Sequence, residues 1–179
     1  MRRLILLRHA KTEKDSASGK DRDRCLDERG ETDASQIGAW LAANGYLPEI
    51  ALVSTATRAR QTWDRISPYL PHCRVKHLDD LYLAETAQLL DIVRTAKGNP
   101  ASLLVVGHNP GLHELAWNLT GESSVADRRA LGENLPTAAA AVIDFDSAKW
   151  QDVADRDGTL TVFVTPKRLR EASGAGSHL

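Results

Sequence analysis

Two short runs of apolar residues, 3–7 and 102–106, stand out from an otherwise mixed chain, with Leu4 to Leu7 and Leu103 to Val106 unbroken by any polar side chain. A run of that length is too short for a helix and fits a strand covered on both faces. Residues 50–53, 74–78, 139–145 and 160–164 predict four further strands, and the small-residue run Ala138 to Ala141 reads as part of a tightly packed one. Helical spacing recurs between them. Ala34, Ile37, Trp40 and Leu41 predict a helix over 32–44 stopped by Gly45; a second covers 58–66 and ends before Pro68. Leu89, Leu90 and Val93 mark a third over 86–96, closed by Lys97-Gly98-Asn99-Pro100, and a fourth runs over 110–119 with Asn109 as N-cap and Pro110 in its first position.

Strands and helices therefore alternate for most of the length, which predicts an α/β fold: a three-layer α/β/α sandwich around a mainly parallel central sheet. Ligands of such sheets sit at the carboxyl ends of the strands. Residues 1–166 read as one domain and 167–179 as a flexible C-terminal tail. Two polar segments, 11–31 and 121–136, read as surface loops. The first carries 13 charged residues in 21, six positive and seven negative, so its sign selects no partner.

With 179 residues the chain is long enough to bury a core without disulfides or a structural metal. Hydrophobic residues at 42% and charged residues at 26% exclude disordered, collagen-like and disulfide-scaffold classes. A formal net charge of −1 removes the basic excess expected of a nucleic-acid or anionic-membrane binder, so any cationic site is local. Cys25 and Cys73 have no CxxC spacing, and the apolar run at the N-terminus is far short of a membrane span. The expectation is a cytoplasmic protein with reduced thiols, a monomer by default.

Chemistry concentrates where the pattern puts strand ends. His9 follows Arg8 at the end of the first run, and His108 follows the 102–106 run just before a helix. Arg58 and Arg60 lie just past the second strand in Ser54-Thr55-Ala56-Thr57-Arg58-Ala59-Arg60-Gln61-Thr62. Taken singly, a strand-end histidine is more often a hydrogen-bonded structural residue, and an arginine at a helix start is usually solvated. Together, an imidazole flanked by guanidinium groups, with a second imidazole and a helix N-terminus opposite, suits a phosphoryl group in transfer. The cationic surround also favours a phosphohistidine intermediate, and then no metal is required. His113, one turn into the helix after His108, is within reach of the site, although a surface or core histidine is the commoner reading; His72, His77 and His178 show no partner spacing, and no HExxH or Cys/His cluster is present, so neither a metal site nor a cofactor is expected.

The ordered set Leu6-Leu7-Arg8-His9-Ala10-Lys11, Asp21 to Gly30, Ser54 to Thr62 and Val105-Val106-Gly107-His108-Asn109-Pro110-Gly111 resembles the histidine phosphatase superfamily, in particular its short SixA-type branch. Cys25 stands where that branch commonly has Pro. The resemblance implies a phosphoglycerate mutase-like fold, His9 as the nucleophile that becomes phosphorylated, and Arg8, Arg58 and His108 as the groups that bind and polarise the phosphoryl oxygens. It offers Asp80 as the general acid, with Asp79 and Glu85 as rivals; phosphohistidine needs less help in leaving than an alkoxide does. The substrate it implies is a histidine-phosphorylated phosphotransfer protein. Small phosphomonoesters or other phosphoproteins are the alternative within the enzyme class, a mutase fits less well because it benefits from a closed, dry site, and a non-catalytic phosphate-binding module is the alternative outside it.

Overall fold

The structure, a computed structural model, describes residues 1–176. Seven strands form a single sheet in the order β3-β2-β4-β1-β6-β7-β5. They are β1 Arg2–Arg8, β2 Ile50–Ser54, β3 Arg74–Leu78, β4 Ser102–Gly107, β5 Thr120–Ser123, β6 Ala140–Phe145 and β7 Gly158–Val164. The helices are α1 Glu28–Ala43, α2 Thr57–Ile66, α3 Thr86–Arg94, α4 Gly111–Leu119, α5 Val125–Glu133 and α6 Pro166–Gly176. Only β6 opposes its neighbours: it pairs antiparallel with β1 and β7, while β1, β2, β3 and β4 pair in parallel, as do β5 and β7.

The two-residue period of a strand sorts the core into two halves. Leu4 and Leu6 of β1, Ile50 and Leu52 of β2, and Leu103 and Val105 of β4 pack on one face with Leu89 and Val93 of α3, Leu112 and Leu115 of α4 and Leu131 of α5. Ile5, Leu7, Ala51, Val53, Leu104 and Val106 pack on the other face with Ile37 and Leu41 of α1 and Ala59, Trp63 and Ile66 of α2. The result is the expected three-layer sandwich, with the two apolar runs side by side in parallel at its centre, Leu7 opposite Val106 and Arg8 opposite Gly107. That register puts the residues after both strands at one edge of the sheet.

Four expectations need correction. The 121–136 segment holds β5 and α5, and it is polar because β5 is a four-residue edge strand and α5 buries only Leu131. Ser124 caps α5 and Asp127 fastens it to Arg168 at 2.7 Å, so its stability comes from caps and ion pairs that leave little apolar pattern. Helix α1 starts at Glu28, inside the predicted 11–31 loop, because the Asp27 side chain accepts from the Gly30 amide at 2.7 Å. Helix α4 starts at Gly111 after Pro110, and Asn109 turns its amide away from the helix to donate to the Leu135 carbonyl at 2.9 Å. The segment expected as a flexible tail from 167 is helical over Pro166–Gly176: Thr165 Oγ1 accepts from the Arg168 amide, Leu169 packs on the core and Arg170 pairs with Asp33. Residues 177–179, with His178, lie outside the described residues.

Candidate active site

The site is assembled at the carboxyl edge of β1, β2 and β4. His9 follows β1, its amide bonded to the Gly107 carbonyl at 3.1 Å, and His108 follows β4. Their ring centroids are 5.3 Å apart with the planes tilted by 51°. Arg58 stands in the first turn of α2, directly after β2, and is 3% exposed. One hydroxyl links these two elements: Thr62 Oγ1 accepts from the Ala10 amide at 2.9 Å and donates to the Arg58 carbonyl at 2.7 Å. The backbone beside His9 is thereby locked to the helix that carries Arg58.

His9 is 8% exposed, and its Nδ1 lies 2.8 Å from the Ala10 carbonyl oxygen. A carbonyl only accepts, so Nδ1 carries the proton and Nε2 keeps its lone pair. Burial pushes the His9 pKa down to about 4, with Arg58, Arg8 and Arg24 adding in the same direction against the stabilising bond to Ala10. The ring is therefore neutral at physiological pH, the form a nucleophile needs. His108 is held lower still, at about 3, by burial, by His9 and by Arg58, with the Asp21 carboxylate opposing. Its Nε2 lies 2.7 Å from Ser54 Oγ, and its Nδ1 is buried with no hydrogen-bond partner among the described residues.

Arg8 donates from Nη1 to the Leu135 carbonyl at 3.3 Å, while its buried Nε has no hydrogen-bond partner among the described residues. Burial and the neighbouring Arg58 both lower its pKa, a sign of how closely positive charge is gathered. Unpartnered buried donors are costly unless a ligand or water satisfies them. An oxyanion beside Arg8 and Arg58 would gain charge-assisted hydrogen bonds and relieve their repulsion at once.

The segment between β1 and α1 passes over this edge as a strap, tied back by an isolated bridge between Thr12 and Leu26 and by the Leu26 amide donating to Gln61 Oε1 at 2.8 Å. Gly30 makes the tie possible, since a Cβ there would lie 2.0 Å from the Lys11 carbonyl oxygen. The strap delivers three residues that sequence reasoning did not single out. Asp21 meets Arg58, Arg24 and Tyr82; Arg24 contributes positive charge at His9; Arg22 bonds Thr55 Oγ1 and Asp79 Oδ1. Tyr82, from the turn after β3, sets its ring at right angles to His108 with centroids 5.5 Å apart. Ser54 had a legible signal, a hydroxyl closing an apolar strand; Asp21 and Arg24 lay in the Asp21 to Gly30 segment that carries the family resemblance but had no individual mark, and Tyr82 had none beyond lying in a turn.

The remaining expected groups are distributed otherwise. Asp79 is tied to Thr55 and Arg22, which hold its carboxyl below the usual range. The side chains of Asp80 and Glu85 are exposed and make no hydrogen bond or ion pair among the described residues, while the Glu85 carbonyl accepts from the Leu89 amide at 3.0 Å. His113 Nε2 donates to the Leu131 carbonyl of α5 at 2.5 Å. Among the described residues no group of three or more His, Cys, Asp or Glu is arranged to hold a metal ion, and no helix is long and apolar enough to cross a membrane.

An α/β sheet whose carboxyl edge gathers two neutral imidazoles and buried guanidiniums defines a class of phosphate-handling enzyme, and comparison with known proteins narrows it. Residues 4–83 match the histidine phosphatase superfamily, branch 1. An uncharacterized protein of Mycobacterium tuberculosis is 33% identical over 165 residues, covering 90% of this chain and all of that protein. An uncharacterized chloroplast protein of Arabidopsis thaliana is 34% identical over 132 residues, and there the match spans 68% of this chain and 61% of that longer protein. Among solved structures, an assigned SixA phosphohistidine phosphatase of Agrobacterium tumefaciens superposes with a TM-score of 0.78 at 29% identity, over 92% of this chain and 98% of that one. The chain belongs to the histidine phosphatase superfamily and is a hydrolase of the phosphatase class.

Proposed function

We propose that this phosphatase removes the phosphoryl group from a phosphohistidine-bearing protein through a covalent intermediate on His9, without a metal. The observation that carries the reading is a mismatch of protons at the site. The nucleophile is neutral, yet the carboxyl groups that touch the surrounding side chains, Asp21 and Asp79, are both held ionised and have no proton to give. An alkoxide leaving group needs that proton; a phosphohistidine whose distal ring nitrogen is protonated departs as neutral imidazole without it.

In the first step the His9 Nε2 lone pair attacks phosphorus in line, the phosphorus–nitrogen bond of the substrate breaks, and its electron pair returns to the leaving imidazole. Arg8 and Arg58 hold the phosphoryl oxygens while charge builds on them, and His108 packs against the same group. In the second step water attacks phosphorus, the bond to Nε2 breaks with its electron pair returning to the ring, and inorganic phosphate leaves carrying both hydrogens of the water. The proton stays on Nδ1 throughout, donated to the Ala10 carbonyl, which fixes the reacting nitrogen. Free Cys25 and Cys73 fit a reducing cytoplasm.

The test is phosphate release in EDTA from two donors in parallel, a histidine-phosphorylated phosphotransfer protein and an aryl phosphate, with wild type and His9→Ala. The proposal expects preference for the protein donor, unaffected by chelation and lost in the variant. Preference for the aryl ester would keep the nucleophile and reject the substrate. Intact phosphate binding with no turnover of either donor would reject the enzyme reading of these residues.

A further inference from the structure

Arg58 is almost fully buried, and both of its terminal nitrogens reach one residue of the strap: Nη1 donates to the Asp21 carbonyl at 2.9 Å and Nη2 to Asp21 Oδ2 at 3.1 Å. The same Oδ2 accepts from the Tyr82 hydroxyl at 2.6 Å, and Oδ1 accepts from Arg24 Nη1 at 3.1 Å. A single carboxylate thus joins two guanidiniums and a phenol that come from three separate segments. Tyr82 in turn lies against His108, and the Arg58 guanidinium stands 5.8 Å over its ring. With Arg8 also at hand, the cations on this edge repel one another. A fixed anion between two of them lowers that repulsion and selects one geometry for the set.

The geometry points to Asp21 as the positioning residue of the site: its carboxylate draws Arg58 and Arg24 together, ties them through Tyr82 to the turn beside His108, and so makes the strap part of the phosphoryl cradle. This extends, and rests on, the proposal that Arg58 binds the phosphoryl group. Two other roles have opposite signatures. An internal anion that merely occupied Arg58 would compete with phosphate, and its removal would tighten binding. A clasp that only closed the strap would matter for stability and leave binding and turnover alone.

The experiment compares Asp21→Asn and Asp21→Glu with wild type, measuring kcat and KM on the faster of the two donors above and the Ki of inorganic phosphate. Asp21→Asn is expected to raise the phosphate Ki and lower kcat/KM by about 10- to 100-fold, the range for losing charge-assisted hydrogen bonds, with Asp21→Glu recovering part of both. Tighter phosphate binding in Asp21→Asn, or unchanged Ki and kcat/KM with only a lower melting temperature, would overturn the proposal. If Asp21→Asn does not fold, Tyr82→Phe removes one of the bonds and leaves the carboxylate; a Ki raised about threefold or more supports the role, and an unchanged Ki overturns it. Arg58→Ala separates the two levels. Turnover that survives it removes the role of Arg58 and the positioning role with it, whereas loss of turnover there beside an unaffected Asp21→Asn removes the positioning role alone.

Discussion

Ser54→Ala isolates what orients the second histidine. Ser54 closes β2 with its side chain fully buried, and its Oγ both meets His108 Nε2 at 2.7 Å and accepts from the Ala56 amide at 3.3 Å. Because His108 Nδ1 already lacks a partner among the described residues, the substitution leaves both ring nitrogens without one there. Stranding a buried polar group costs about 1–3 kcal/mol, and this is the expected loss of unfolding free energy in urea. The same loss of restraint lets the ring rotate out of the phosphoryl cradle, so kcat/KM is expected to fall by about 10- to 100-fold. In a His108→Ala background the serine has nothing to orient, and Ser54→Ala is expected to add no further kinetic loss. Wild-type kcat/KM in a destabilised Ser54→Ala protein would refute the claim that this hydroxyl sets the catalytic orientation of His108.

Protonation gives a second check. The unfolded chain titrates its histidines near 6.5, whereas His9 and His108 hold off protons to about 4 and about 3 in the fold. Between those limits the unfolded state binds more protons, so stability is complete above about pH 6.5 and is lost as pH falls through the window. A His9→Gln variant should show a shallower loss in urea titrations between pH 4 and 6.5, and the acid limb of wild-type kcat/KM should lie well below 6.5. Gly30→Ala drives a methyl into the Lys11 carbonyl, so a loss of about 1–3 kcal/mol and a lower kcat/KM through the displaced strap are expected from denaturation and steady-state kinetics. Asp80→Asn should change kcat/KM on an aryl phosphate by no more than about twofold, as for an exposed group without contacts, and a tenfold loss would reinstate Asp80 as general acid.

The centre of the fold was legible because burial on both faces writes itself as an unbroken apolar run. Leu4 to Leu7 and Leu103 to Val106 could only be central strands, and their ends named Arg8, His9 and His108. Strand direction left no such mark: β6 is as apolar as the parallel strands β1 and β4, and nothing in Ala140–Phe145 signals that it runs the other way. Elements held by caps and charges were read as loops. The start of α1 did carry a signal in Asp27, three residues before Gly30, but the density of charge around it masked the cap. The site followed the same rule. Residues fixed by the sheet, Arg8, His9 and His108, were found from strand ends, and Arg58 from its place after β2. Asp21, Arg24 and Tyr82 reach the same point by tertiary folding of the strap and a turn, which no local spacing records.

All of these roles depend on His9 taking the phosphoryl group. The most direct measurement is a rapid-quench experiment across the first turnover with a phosphorylated donor, stopped in alkali to preserve phosphohistidine and read by peptide mass spectrometry. The account predicts a phosphoryl group on His9, formed and lost at rates compatible with turnover, labile in acid, and absent from His9→Ala, which turns nothing over. Turnover in His9→Ala, or a phosphoryl adduct on another residue with His9 unmodified, would contradict it.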